Sequence, residues 1–363
     1  IPRAALCAAG LLGFPALAHA EAHFDPSSRM FRLDGGQVTY AFGVNANGAL
    51  QSVYWGARLA PSDTLKAEAP RDHSGMDPAN SITPQEYPGW GGPMYTEPAL
   101  KLAYPDGVRD VVLIFRSGHA EGNSITVEMS DIRRPLHVTL RYTIDPTTGI
   151  VGRSAVIRNE TSTAVRIDQA SSAAWSLPTG TDYRLHYLTG RWAAEWSLQA
   201  RAVTEGSTVI ESRRGSTGMQ ANPWFAIDRA GLSGEESGPV WFGALAWSGS
   251  WRISVDRNPL GDVRVVGGRG PGQHDAVAAG RVLAGARAGV GVVHVPIVAV
   301  LAGVDVAVAA HARAGRHRLG RRRRAGRPGL ARRARPRCRV GAGRRHRRRR
   351  HRRRRHRRRR PGR

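Results

Sequence analysis

The chain has 363 residues and a formal net charge of +27, but its charge is unevenly distributed. Residues 266–363 hold 31 arginines, two aspartates and no lysine, whereas residues 1–265 carry a net charge of −2. The pI of about 11.6 therefore describes the end of the chain and does not indicate a basic domain. All Trp, Tyr and Phe residues precede residue 266, so we expect one folded unit followed by an unfolded one.

The first residues have the pattern of a secretory signal. Arg3 precedes an apolar run over residues 4–17, and Ala18-His19-Ala20 supplies the small-residue pattern of a cleavage site. This predicts cleavage after Ala20 and a periplasmic or secreted protein. Because the sequence begins at Ile1 without methionine, we expect the signal to be truncated at its front.

From Phe31 onward the apolar residues recur with a period of two, which is typical of strands. Asn47-Gly48 interrupts the alternation with a dipeptide that favours a tight hairpin turn. Polar turn residues separate further strand pairs near 118–123, 145–149 and 159–162. No capped amphipathic helix of useful length precedes residue 266. The pattern predicts an all-β fold built as an antiparallel sandwich.

Two longer connections interrupt this rhythm, and both are predicted to be loops with a functional or interfacial role. One covers residues 60–99 and is rich in Pro and Gly; the other runs from Leu188 to the stretch at 211–227. Four tryptophans are predicted to lie in loops beside Gly, Asn or Arg: Trp90, Trp192, Trp196 and Trp224. Aromatic side chains beside polar groups suit sugar binding and domain interfaces equally, and an ordinary role in the core is as well supported.

Known catalytic and ligand motifs are weak in this sequence. The run Arg213-Arg214-Gly215-Ser216-Thr217-Gly218 could grip phosphate, but it opens no helix, and arginines that bridge loops or domains are the favoured interpretation. The histidines have no ligand spacing, and both cysteines, Cys7 and Cys338, lie outside residues 21–268, so neither a metal nor a disulfide is expected there. No Gly-x-Ser-x-Gly elbow is present.

Four stretches together resemble a known family. They are "ITPQEYPGWGGPMYTEPALK" at 82–101, "YLTGRWAAEWSLQ" at 187–199, "ESRRGSTGMQANPWFAI" at 211–227 and "WFGALAWSGSWRISV" at 241–255. In order and spacing they are similar to the N-terminal β-supersandwich domain of glycoside hydrolase family 36, the retaining α-galactosidases, over residues 24–268. Pro93 and Met219 depart from the family pattern, which usually has Gly and His there.

The resemblance implies that the full enzyme continues into a (β/α)₈ barrel and a C-terminal β-sandwich. In the family an aspartate nucleophile and an aspartate acid/base on the barrel cleave terminal α-galactosides by double displacement. Neither motif occurs here, so the resemblance predicts no catalytic residue, cofactor or metal in this chain. It implies that the chain would act on an α-galactoside only through the full-length enzyme.

The resemblance also implies roles for particular residues. The N-terminal domain packs on the barrel, supports a tetramer and lends a loop toward a neighbour's active site. Asp63 and Arg71 are the candidates to reach a sugar from that loop. The candidate domain-interface residues are Gln85, Glu86, Tyr87, Trp90, Arg191, Trp192, Arg213, Arg214 and Trp224.

Residues 269–363 form a low-complexity segment rich in Arg, Ala and Gly, without Lys, Asn, Phe, Tyr, Ser, Thr or Glu. This composition is typical of GC-rich DNA read in the wrong frame, so we expect a frame disruption and a disordered tail. An apolar run at 288–310 is a poor membrane span because Asp305 and Pro296 interrupt it. The arginine repeats would bind nucleic acid only non-specifically, through phosphate neutralisation.

The sequence is thus divided into residues 1–20 (signal peptide), 24–268 (folded domain) and 269–363 (tail). Three hypotheses follow for the function of the whole chain. The first is the N-terminal domain of an exported α-galactosidase, inactive without its barrel. The second is a non-catalytic β-sandwich that binds carbohydrate or another protein. The third is a nucleic-acid binder with an arginine-rich tail.

Overall fold

The computed structural model describes residues 20–72, 74–92, 94–234, 237–270, 275–277, 281–284 and 287–293. All regular structure in these residues is β-strand, which confirms the predicted all-β antiparallel class. The strands are β1 (Glu21–Asp25), β2 (Met30–Gly35), β3 (Val38–Val44), β4 (Leu50–Ala57), β5 (Leu100–Ala103), β6 (Leu113–Glu121), β7 (Ser124–Asp131), β8 (Leu136–Ile144), β9 (Val151–Asn159), β10 (Val165–Ser176), β11 (Tyr183–Arg191), β12 (Ala194–Ala202), β13 (Gly206–Ser212), β14 (Ala221–Arg229), β15 (Val240–Ala246), β16 (Trp251–Arg257), β17 (Val263–Arg269), β18 (Asp275–Val277), β19 (Arg281–Ala284) and β20 (Arg287–Val293).

The strands form three antiparallel sheets. The first has the order β1-β2-β3-β4. The second has the order β13-β16-β17-β10-β18, with β5 paired to β10. The third is the largest, with the order β12-β11-β14-β15-β20-β9-β8-β7-β6, and β19 also pairs with β9.

A single apolar core joins the sheets. β3 is buried at all seven positions, which shows that both of its faces are covered. On one face Phe42 stacks between Phe31 of β2 and Tyr142 of β8, with ring centroids 4.9 and 4.5 Å apart. Aromatic contacts of this kind stabilise a core beyond their buried area, so they tie the first sheet to the third.

The turns predicted at Asn47-Gly48 and at 145–149 lie between strands, whereas β6 continues to Glu121, so the turn predicted at 118–123 is reduced to Gly122 and Asn123. Gly48 follows Asn47 between β3 and β4 with φ of 76°, and Gly149 ends the β8–β9 turn with φ of 70°. A positive φ is costly for residues with a Cβ, which explains glycine at both positions. Residues 58–99 contribute no strand to the described structure, as predicted for the first long connection.

The second predicted loop is wrong, because residues 183–202 form a hairpin of β11 and β12. β12 is the outermost strand of the third sheet, and no residue from 186 to 202 is buried. β11 buries Tyr183 and Leu185, and Tyr187 packs against the core, so its alternation lies ahead of the predicted loop. From Leu188 to Ala202 no residue is buried, and the period-two pattern that signals a strand is missing there.

The predicted tail also begins too early. Residues 275–277, 281–284 and 287–293 pair with β10, β9 and β15. Strand pairing depends on backbone hydrogen bonds and needs no aromatic side chains, which explains why composition alone missed them. The remaining tail prediction and the signal-peptide prediction over residues 1–19 lie outside the described residues.

Candidate functional site

A charged network lies in the core of the domain. Glu86 enters from the long connection, and Arg153 of β9 donates to its Oε2 atom over 2.8 Å. Tyr40 and Tyr142 donate to the same carboxylate over 2.8 and 2.9 Å. The Arg153 guanidinium also donates to the Glu86 carbonyl oxygen. Buried charges are stable only when paired and hydrogen-bonded, and this carboxylate is both.

Glu86 and Tyr87 therefore have a different role from the predicted domain interface. Both are 0% exposed, and the Tyr87 hydroxyl donates to the Ser171 carbonyl oxygen over 2.9 Å. Neither side chain can contact a second domain without unfolding its surroundings. Instead they fasten the long connection to β9 and β10. The signal for Arg153 was present in the sequence, because it occupies the same inward register as Val151, Ala155 and Ile157.

A pocket of about 400 Å³ opens beside this network. Its walls come from β4, the long connection, the end of β10 and the start of β17. Arg71 spans one side through an ion pair of 3.2 Å to Asp262. The Asp262 carboxylate also accepts hydrogen bonds from Thr179 and Asn258, each over 3.0 Å. Three segments that are distant in sequence thus meet around one carboxylate.

The hairpin of β11 and β12 forms an exposed arm, here defined as residues 186–202. Trp192 is 78% exposed and Trp196 is 67% exposed. Ala193 and Trp196 have φ of 58° and 53°, values that bend the arm near its tip. The backbone of Met219 lies close to Gly190, so the 213–220 loop borders the arm. The arrangement presents most of the surface of these two large apolar side chains to solvent.

Residues 48–277 match the family model described as the glycosyl hydrolase family 36 N-terminal domain. The chain belongs to this family. The resemblance read from the sequence is thereby confirmed.

Relatives of this family 36 domain are named α-galactosidases. AgaA of Geobacillus stearothermophilus is 25% identical over 275 residues, which cover 68% of this chain and 37% of the relative. Mel36A of Lactobacillus acidophilus is 25% identical over 270 residues, covering 67% of this chain and 37% of the relative. The chain thus spans just over a third of the length of these relatives.

Solved structures share the fold of the family 36 domain. AgaB of Geobacillus stearothermophilus superposes with a TM-score of 0.69 at 22% identity, over 76% of this chain and 41% of that structure. The galactosidase domain of the α-galactosidase-sucrose kinase AgaSK gives a TM-score of 0.70 at 21% identity, over 76% and 42% of the two chains.

Within the family 36 domain, the two sugar-binding candidates differ in environment. Asp63 is exposed and accepts the backbone N–H of Ala60 over 2.8 Å, which closes a local turn. Arg71 is partly buried and lines the pocket, whereas Asp63 does not. The structure therefore does not bring these residues together in one site.

The remaining interface candidates are spread over the surface. Gln85 is partly buried, and Trp90 is 38% exposed, with Lys101 and Arg109 over its ring. Arg191 is exposed beside Trp192 on the arm. Arg213 and Arg214 are exposed in the bordering loop, and Arg213 pairs with Glu211. Trp224 lies in β14, paired with Ala244, and is partly buried. Trp196 and Trp224 are thus strand residues, which corrects their placement in loops.

No group of three or more metal-ligating side chains occurs among the described residues of the domain. The same part of the chain has no helix long and apolar enough to cross a membrane.

Proposed function

We propose that this chain is the non-catalytic N-terminal domain of an exported α-galactosidase. The observation that carries the proposal is the family match over residues 48–277 in a chain that spans only 37% of its first relatives. In this proposal the hydrolysis of terminal α-galactosides belongs to the further part that the relatives contain. The chain alone is then inactive.

The exposed arm supports a docking role. Tryptophan and arginine are the residues most often found at the energetic centres of protein interfaces. Arg191, Trp192 and Trp196 combine both types near the tip of a hairpin whose outer strand is the edge of the third sheet. We propose that the arm and the 213–220 loop face the catalytic part of the enzyme, and that Arg213, Arg214, Trp90, Gln85 and Trp224 line or support that face.

The remaining roles concern substrate, assembly and export. Asp63 and Arg71 are proposed to contact a galactoside in the assembled enzyme, where the family tetramer would bring the long connection to a neighbour.

Export is supported by the position of β1, which begins at Glu21, directly after the predicted cleavage site. Expression of the source gene from its own start codon in a bacterial host, followed by N-terminal sequencing of the product, tests this point. A mature protein from the periplasm that begins at Glu21 is expected, and an uncleaved cytoplasmic protein would contradict export.

Activity of the purified full chain tests the central part of the proposal. We expect no hydrolysis of p-nitrophenyl α-galactoside above the buffer rate, from protein whose cooperative thermal unfolding shows that it is folded. A full-length relative such as AgaA of Geobacillus stearothermophilus serves as the positive control. Turnover that rises in proportion to the concentration of this chain would show that it carries its own catalytic groups.

A further inference from the structure

The pocket beside the buried network has the size of a small-molecule site. Its volume of about 400 Å³ lies within the range of roughly 300–1,000 Å³ found for such sites. Tyr54 and Tyr95 contribute aromatic surface, and hydroxyl groups come from Thr83, Thr96 and Thr179. Thr83 and Thr179 are already hydrogen-bonded to Arg71 and Asp262. A purely apolar ligand would still match this wall poorly, because it would displace water from the exposed polar groups without replacing their hydrogen bonds.

The charges on the wall favour an uncharged ligand. Glu68 and Asp262 are the acidic residues of the lining, and Arg71 and Arg264 are the basic ones. Two negative and two positive groups leave no net attraction for an anion or a cation. Asp262 has both oxygens occupied by Arg71, Thr179 and Asn258, so it is not free to hold a cation.

The side chains that a ligand can reach are the more exposed ones of the lining. Arg264 and Trp55 are 4% and 3% exposed, and the Nε and Nη2 atoms of Arg264 and the Nε1 atom of Trp55, which have no acceptor in the described structure, are themselves buried. Glu68 and Tyr95 are exposed, and Thr96 is partly buried. The Glu68 carboxylate and the Thr96 hydroxyl can pair with the hydroxyl groups of a ligand.

We propose that this pocket binds a neutral mono- or disaccharide within the domain itself. Sugar hydroxyl groups act as both donors and acceptors, so they can pair with the Glu68 carboxylate and the Thr96 hydroxyl, while Tyr54 and Tyr95 add aromatic surface to the same lining. The choice of a galactoside as the preferred sugar rests on the proposed function. The Arg71–Asp262 ion pair then holds the long connection over the bound sugar.

Calorimetric titration of the full chain with galactose and melibiose tests the proposal. We expect weak saturable binding, with a Kd on the order of 1 mM. Thr96→Trp should weaken binding at least tenfold, because the indole fills the pocket from a partly buried position with no side-chain hydrogen bond to break. Met76→Ala is the matched control: Met76 lies in the same connection, is 95% exposed and is outside the pocket lining, so its Kd should stay within twofold.

A second variant keeps the test valid if Thr96→Trp fails to fold. Glu68→Gln changes an exposed lining residue and should weaken binding several-fold without affecting the core. Absence of saccharide binding by the wild-type chain would overturn the proposal. So would binding that survives Thr96→Trp in folded protein, or binding that is lost only when Trp192 and Trp196 are changed to alanine, since that result would place the sugar on the arm.

Two further ligands separate this proposal from the proposed function. Tighter binding of galacturonate than of galactose would overturn the uncharged ligand class. Binding of maltose as tightly as melibiose would support a saccharide pocket and overturn the galactoside preference. Neither result depends on whether the chain hydrolyses an aryl α-galactoside, so the pocket and the proposed function can fail separately.

Discussion

Arg153 donates a hydrogen bond to Glu86 over 2.8 Å, and both side chains are completely shielded from solvent. The pair joins the long connection to β9, which is otherwise far from it in sequence. Replacement of one partner should cost far more than the pair contributes, because it leaves the other charge buried and uncompensated.

Glu86→Gln should therefore lower the free energy of unfolding by about 3–5 kcal/mol. Urea denaturation followed by tryptophan fluorescence measures the change. Glu121→Gln is the control, since the Glu121 side chain is 87% exposed and should change stability by less than about 0.5 kcal/mol. A Glu86→Gln variant as stable as the control would show that the buried pair does not fasten the connection.

The tyrosines of the same network make stability sensitive to alkaline pH. Burial, aided by the negative charge of Glu86, raises the pKa of Tyr40 and of Tyr142 well above the usual value. Both groups therefore contribute stability that is present below the unfolded pKa of about 10 and is lost as pH rises toward their folded pKa. The free energy of unfolding should fall above pH 10, and less steeply in a Tyr40→Phe, Tyr142→Phe variant. An equal slope in both proteins would contradict this assignment.

The tryptophans of the arm and of the core should behave in opposite ways. Trp192→Ala and Trp196→Ala should leave the unfolding free energy within about 0.5 kcal/mol, because both side chains are largely exposed. Trp175→Ala, at a position 1% exposed, should cost about 3–5 kcal/mol. Thermal and urea unfolding measure all three. Destabilisation by the arm variants comparable to Trp175→Ala would mean that the arm packs within this domain rather than awaiting a partner.

The Arg71–Asp262 pair should act on local order more than on global stability. Its side chains are 33% and 22% exposed, so solvent screening limits its contribution to about 0–1 kcal/mol. Arg71→Ala should nevertheless speed trypsin cleavage after Lys66, a site that both variants keep, because it releases that part of the connection from the turn before β17. Arg58→Ala is a control of the same type outside the pair. Equal cleavage rates in both variants and the wild type would show that the pair does not hold the connection.

Much of this fold could be predicted from the sequence, because most strands bury one face and leave the alternation that reveals them. The part of the arm from Leu188 to Ala202 could not, since none of its residues is buried. Nor could β18 to β20, which lack the aromatic residues that suggested a core elsewhere. Local pattern succeeds where one face of a strand is buried and fails where a strand is exposed or has an unusual composition.

The candidate site shows a similar division. The family motif around Gln85, Glu86 and Tyr87 predicts an interface, whereas the side chains of Glu86 and Tyr87 are 0% exposed and contact β3, β8, β9 and β10 of the same domain. A family motif marks a position without saying whether its side chain points inward. The partners of Glu86 come from β3, β8 and β9, and only the three-dimensional structure brings Tyr40, Tyr142 and Arg153 to one carboxylate.

The most direct test of the central claim is the sequence of the source gene on the 3′ side of the codon for Gly268, translated in all three frames. If the chain is the N-terminal domain of an α-galactosidase, a single-base correction should restore a frame that encodes a (β/α)₈ barrel with its nucleophile and acid/base aspartates. If no frame of the transcript encodes such a barrel, the assignment of this chain to a complete α-galactosidase is wrong.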